Sequence, residues 1–316
     1  MAADAKYLLS LVTHEAEVSY RGEADLHEHL ICCRKNPDHT TFFPVDDFTI
    51  QHLPERYRDP DLFDLVKVTS DITVRVAVDY TDESRPEFYP ETNVPYPFFE
   101  TIGKKLLRTG TGRVWDVRKL TNEDEVCCPC KACQSSETPT KTWGQINVIT
   151  ATHVVFSVSE AKRSTCRLGF NSKGCEYVEV EGVGKDGSDI FADRYLLTCV
   201  THDVELVDRL RKSVDLYNDL CFKVFKKYYN TKDEDRLTII VSHPHGCSKQ
   251  ISLGEWTAKY EVSRGTTKYS YTACTCPGSS GAPVYTLGRS GWRWMYSHVH
   301  SGAASDVNFS GLGWES

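Results

Sequence analysis

Alternating apolar residues at Ile72, Val74, Val76 and Val78 in DITVRVAVDY predict a half-buried strand. From Gly110 onward such signals become short and frequent, with Gly, Asp and Asn turns between them. They run GRVWDV, QINVITATHVVF, CRLGF, EYVEVEGV, RYLLTCV, LTIIVSH, KQISLGEW, KYSYTAC, APVYTL and WRWMYSHVH. Many short strands at this spacing predict an all-β sandwich or a pair of barrels. One segment breaks the pattern: Leu210, Val214, Tyr217, Cys221, Val224 and Tyr228 recur every three or four residues, predicting an amphipathic helix with Ser213 as N-cap. Upstream, RPEFYPETNVPYPFF carries four prolines in fifteen residues and reads as an extended linker, which sets a boundary near residue 100. Residues 1–105 are therefore expected to form an N-terminal extension of mixed structure and unknown role.

Composition bounds the function. The 316 residues, 40% hydrophobic and 26% charged, suit an ordinary globular protein of one large domain or two. A formal net charge of −7 argues against nucleic acid or an anionic membrane as partner, because both attract basic surfaces. No stretch approaches the ~18 apolar residues of a membrane span. The N-terminus lacks the apolar run of a secretory signal, so a cytoplasmic location with reduced thiols is expected.

The 13 cysteines then read as free thiols or metal ligands. CCPCKAC at 127–133 has overlapping C-x-x-C spacings that suit zinc. Cys128, Cys130 and Cys133 would hold a structural zinc with a partner such as Cys166 or Cys175, or one of Cys32, Cys33 and His39. The alternative is an exposed, redox-sensitive loop, and TACTC at 272–276 adds further thiols.

PGSSGAPV at 277–284 puts heavy backbone constraint around Ser280, either as an ordinary turn or as a loop presenting a nucleophile with amides behind it. A serine nucleophile needs a base, and the base needs a carboxylate to orient it. His153 ends the β-branched strand INVITATHVVF, and Asp203 in TCVTHDVELV precedes another apolar alternation.

Together these segments resemble the trypsin-like (chymotrypsin-fold) serine peptidases. TATHVVF is similar to their histidine strand, HDVELV to their acid segment and GSSGAPV to their nucleophile turn, in the same chain order. GTGRVWDV and VSHPHGCSKQISLG resemble strands that open the two barrels in the HtrA-like branch. The resemblance implies a double six-stranded antiparallel β-barrel: barrel one over 106–210, a connector helix over 211–230 and barrel two over 235–316. It implies an intracellular serine endopeptidase acting through an acyl-enzyme without a catalytic cofactor. Ser280 would be nucleophile, His153 base and Asp203 orienting acid, with Gly278 and Ser280 N–H groups as oxyanion hole.

By the same resemblance Ser301 bonds the catalytic acid, and Ser301, Gly302 and Ala303 pair with the backbone of a protein or peptide substrate. Cys274, Thr275 and His300 would line the pocket for the residue before the scissile bond (P1). The Thr275 and His300 pair resembles that of glutamyl endopeptidases and viral 3C-like peptidases, implying Glu or Gln there. Alternatively His298 and His300 simply alternate across a strand. The rival function is a double-barrel scaffold without turnover.

Overall fold

The computed structural model describes residues 5–124, 126–289 and 298–315. The early chain gives β1 (Thr13–His14), β2 (Glu17–Ser19), β3 (Phe42–Pro44) and β4 (Thr73–Val78). Next come β5 (Leu107–Leu120), β6 (Trp143–Thr150), β7 (Ser164–Leu168), β8 (Val178–Asp189) and β9 (Arg194–Thr201). The last part adds β10 (Leu237–Ser242), β11 (Gln250–Ser263), β12 (Thr266–Tyr271), β13 (Val284–Thr286), β14 (His300–Ala304), β15 (Val307–Ser310) and β16 (Gly313–Trp314). All strand pairings among the described residues are antiparallel.

Barrel one is the closed ring β5-β4-β7-β8-β9-β6, sealed by the β5–β6 pairing. Its lining comes from strand alternation: Val74, Val76, Val114, Ile146, Val148, Val180, Leu197 and Cys199 are buried in one apolar core. Barrel two follows β10-β11-β12-β15-β14, and β13 pairs with β10. Its ring closes where His300 N–H donates to Ala282 O and Val284 N–H to His298 O. The WRWMYSHVH strand reaches the described residues only at His298; its part at 292–297 lies outside them.

Two boundaries differ from the sequence expectation. The N-terminal extension is not a separate unit. β4 sits inside barrel one between β5 and β7, β2 pairs with β5, β3 with β11, and β1 with β14. The proline-rich 85–99 segment thus joins two neighbouring strands of one barrel, because sequence distance says nothing about strand partners. The connector helix runs Val204–Tyr228, starting well before Ser213, and Asp203 is its N-cap, accepting from Leu206 N–H at 2.9 Å. Leu206, Val207, Leu210, Val214, Tyr217, Cys221 and Val224 are its buried face. It packs on the helix Pro60–Ile72, itself capped by Asp59 and started by a proline. Among the described residues no helix is long and apolar enough to cross a membrane.

Candidate active site

His153 lies just beyond β6 and is fully buried. Its Nδ1 is 2.7 Å from Asp193 Oδ2, and its backbone N–H donates to Asp193 Oδ1 at 3.1 Å. Thr152 Oγ1 donates to the same Oδ1 at 2.8 Å, and Ser301 Oγ to Oδ2 at 2.6 Å. Burial alone would raise the Asp193 carboxyl, but His153, His14 and the Ser301 hydroxyl outweigh it and hold it well below the usual carboxylate range. A carboxylate so held fixes which imidazole nitrogen carries the proton.

The acid beside His153 is therefore Asp193 and not Asp203. Asp203 is exposed and spends its carboxylate on the helix N-terminus. The apolar spacing of HDVELV fits either a strand or a helix, and here Leu206, Val207 and Leu210 form a helical stripe. The missed signal is the aspartate directly before RYLLTCV, a segment already legible as a strand. It sits in the turn between β8 and β9 with φ 51°, a left-handed conformation that Asp tolerates.

Ser280 sits on the turn before β13, also fully buried. Its hydroxyl and His153 Nε2 are both buried without a hydrogen-bond partner. The turn abuts the histidine segment: a Cβ at Gly281, whose φ is +86°, would lie 2.7 Å from Ala151 N. Gly278 has φ +93°, and its N–H donates to the backbone carbonyl of Glu15 at 2.9 Å. A side chain there would strain the turn, because the Cβ would come within 2.6 Å of Gly246 N.

The residue at Gly278 belongs to this chain's own N-terminal segment. β1 pairs with β14 so that Thr13 faces Ala303 and His14 faces Gly302, the residues expected to pair with substrate. The His14 ring lies tilted against the His153 ring with centroids 4.6 Å apart, donates from Nδ1 to Ser301 O at 2.9 Å and accepts from Tyr89 Oη at 2.7 Å. Burial and the neighbouring His153 push its imidazole down to about 3, so His14 is neutral at physiological pH.

The Glu15 side chain enters the predicted P1 pocket. Its Oε2 lies 3.3 Å from both His300 Nε2 and Thr275 Oγ1, and Lys35 Nζ reaches it at 2.6 Å. Burial would raise this carboxyl, yet the bond from His300 and the charge of Lys35 hold it below its ordinary value. His300 is lowered, burial outweighing the pull of Glu15, so it acts as a neutral donor and Lys35 supplies the countercharge. Tyr271 Oη at 2.6 Å from His300 Nδ1, and Asn308 Oδ1, which accepts from Thr275 at 2.8 Å, complete the pocket. Cys274 stands beside it, its carbonyl taken by Ser252. Lys35, His14, Tyr271 and Asn308 escaped sequence reading because no local pattern marks residues so remote along the chain.

The cysteine loop also differs from expectation in its fourth partner. His202 Nε2 lies 3.3, 3.7 and 3.5 Å from the sulfurs of Cys128, Cys130 and Cys133. Cys166 pairs instead with Cys199, Cys175 with Gly169 O, and Cys33 and His39 with Cys276, while Cys32 is exposed. THD at 201–203 thus supplies a potential ligand and a helix cap in adjacent residues.

No protein-family model and no curated protein sequence matches the chain. Among solved structures, it is similar to the Rv3671c protease from M. tuberculosis. The active form has 14% identity and a TM-score of 0.38 over 80% of this chain and 82% of that one. The inactive form gives 14% identity and a TM-score of 0.37 over 80% of this chain and 90% of that one. The HtrA-type protease AlgW with tripeptide is 10% identical, with a TM-score of 0.38 over 78% of this chain and 58% of that one.

Proposed function

We propose that the chain is a serine endopeptidase that cleaves after glutamate. One observation carries the reading: a buried carboxylate holds His153 Nδ1 at 2.7 Å, while His153 Nε2 and the Ser280 hydroxyl are left without partners. In the tautomer that Asp193 favours, Nε2 is the acceptor for the Ser280 proton. Ser280 Oγ attacks the substrate carbonyl, and Gly278 and Ser280 N–H groups stabilise the oxyanion, the Gly278 donor already being bonded to a carbonyl oxygen. His153 then returns the proton to the leaving amine. The preference for glutamate rests on His300 and Lys35, which supply the proton and the countercharge to a largely enclosed carboxylate that would otherwise be costly, with the Thr275 hydroxyl, its proton on Asn308, beside it at 3.3 Å. Glutamine would meet the same hydroxyl and imidazole but leave Lys35 without its countercharge.

A fluorophosphonate probe with the full chain under reducing conditions tests the nucleophile. Labelling is expected for Glu15→Lys, whose N-terminal segment cannot seat in the pocket, and not for Glu15→Lys with Ser280→Ala. No labelling of Glu15→Lys would overturn the enzyme and favour a double-barrel scaffold, the reading that the covered cleft supports. Cleavage of a peptide library mainly after Arg, Lys or aromatic residues would overturn the pocket.

The cysteine loop supports a structural zinc on Cys128, Cys130, Cys133 and His202. A tetrahedral ion with bonds of about 2.3 Å to sulfur and about 2.0 Å to nitrogen sets its ligands roughly 3.5–3.8 Å apart. The separations of 3.3–3.7 Å from His202 fit that frame. Metal analysis of reduced protein should find zinc that His202→Ala loses, and no metal in the wild type rejects the site.

A further inference from the structure

The geometry points to self-cleavage: the Glu15–Ala16 bond is laid in the cleft as a substrate of the chain's own Ser280. This rests on the peptidase reading above. Three independent contacts agree on register. Thr13 and His14 add as a strand to Ala303 and Gly302, the Glu15 side chain fills the pocket of Thr275 and His300, and the Glu15 carbonyl oxygen accepts from Gly278 N–H at 2.9 Å. A strand that merely covered the cleft could meet one of these; meeting all three sets Glu15 at P1.

The far side of the bond is held as well. Two residues on, Glu17–Ser19 pair with Thr109, Arg108 and Leu107 of β5, so the segment leaves barrel two and enters barrel one across the catalytic crevice. His245 Nδ1 at 2.6 Å and His29 Nδ1 at 2.9 Å grip the Glu17 carboxylate. Holding both flanks on rigid strands makes attack effectively unimolecular.

The step balances within the chain and one water. Ser280 Oγ bonds to the Glu15 carbonyl carbon and its proton passes to His153 Nε2. The Glu15–Ala16 C–N bond breaks, and His153 delivers that proton to the Ala16 amine. Water then hydrolyses the ester, regenerating Ser280 and leaving a carboxyl on Glu15.

The test follows intact mass during cell-free synthesis of wild type, Ser280→Ala and Glu15→Lys. Wild type should lose residues 1–15 and begin at Ala16, with a first-order rate constant that does not change over a tenfold range of protein concentration. Both variants should keep this bond, and Glu15→Lys should still cleave a separate THEAEV peptide after glutamate. If Glu15→Lys cleaves that peptide while wild type keeps residues 1–15, self-cleavage is overturned and the peptidase stands. If Glu15→Lys cleaves nothing, the peptidase reading falls first. A rate constant that grows with concentration overturns the intramolecular route.

A different observation carries a second inference: the structure assigns a second zinc site to Cys33, His39, His245 and Cys276. Their ligand atoms all lie within 4.8 Å of one another, with Cys276 Sγ 3.6 Å from Cys33 Sγ and 3.4 Å from His39 Nε2. His245 Nε2 is buried without a partner, while its Nδ1 is fixed by Glu17, as metal-bound imidazoles are usually fixed by a carboxylate. Asn36 Nδ2 donates to the Cys276 sulfur at 3.1 Å, a bond that favours thiolate. Such an ion would tie the N-terminal region to the nucleophile turn, since Cys276 stands two residues before Gly278. Cadmium-substituted full-length Ser280→Ala should give two ¹¹³Cd resonances, one from an S₂N₂ site and one from an S₃N site, and Cys33→Ser with His39→Ala should remove the first alone. A Ser280→Ala spectrum without an S₂N₂ resonance overturns the site.

Discussion

The two walls of the cleft are built by opposite means. On the barrel-one side the bonds that orient His153 and hold the chain behind it run largely through charged side chains. Asp193 gathers four hydrogen bonds around His153, and behind it fully buried Glu160 takes Arg85 at 2.7 Å and Arg108 at 2.7 Å. Those two guanidinium groups continue to the histidine segment, Arg85 donating to His153 O at 3.1 Å and Arg108 to Val154 O at 2.8 Å. On the barrel-two side the anchors of the Ser280 turn are neutral. Thr111 Oγ1 donates to Gly278 O, Thr111 N–H to Ser280 O and Gly281 N–H to His300 O, while Ser279 Oγ is bonded to Ser242. The difference suits what the proposed peptidase would ask of each wall. A base needs its proton assigned to one nitrogen, which a charge does. A nucleophile turn must fix amide positions, which backbone bonds do without a charge that would compete with the developing oxyanion.

The contrast breaks hardest at Asp193. Asp193→Asn should leave the fold in place yet lower kcat on a glutamyl peptide by about 10⁴, because the amide favours the wrong imidazole tautomer. Steady-state kinetics in the Glu15→Lys background measure this, and a loss under tenfold would reject Asp193 as the orienting acid. Next is Glu160→Gln, which strips the compensation from two buried arginines and should cost about 3–5 kcal/mol in denaturant unfolding. The Glu160 carboxyl lies below its ordinary 4.5: burial raises it, but Arg108 and Arg85 outweigh that. Its contribution is therefore full above the ordinary value and is lost as pH falls through the depressed one. Wild type should lose stability in acid more steeply than the variant, and parallel pH curves would contradict this.

On the neutral wall the expected effect is smaller and kinetic. Gly278→Ala disturbs one oxyanion donor and should lower kcat by about 10²–10³. The stability change should stay below that of Glu160→Gln, and unfolding curves alongside active-site titration separate the two.

The neutral wall was also the more legible in sequence. Ser280, Gly278, Thr275, His300 and Ser301 cluster in two short stretches whose glycines and spacing carry their own signal. The ionic wall is assembled from Arg85, Arg108, His153, Glu160 and Asp193, and only His153 sits in a stretch with a pattern of its own. β4 was visible by alternation, but its place within barrel one was not, since periodicity reports a face and not a partner. The two residues of β1 are too few for any periodicity, so the strand that occupies the cleft left no trace in the sequence pattern.

The smallest effect sharpens the comparison by separating the two aspartates. Asp203→Ala removes the N-cap of the long helix, whose carboxylate accepts from Leu206 N–H at 2.9 Å. Loss of such a cap costs about 1 kcal/mol. The helix keeps its buried stripe from Leu206 to Val224, so the fold should persist with a slightly lower Tm and an unchanged kcat. Neighbouring His202 adds a complication, because in the proposed zinc site fraying at the helix start would loosen it. The variant's zinc content should therefore be measured beside its kinetics. Unchanged kcat at unchanged metal content limits Asp203 to the helix, whereas a kcat loss approaching that of Asp193→Asn would make Asp203 the acid that serves His153.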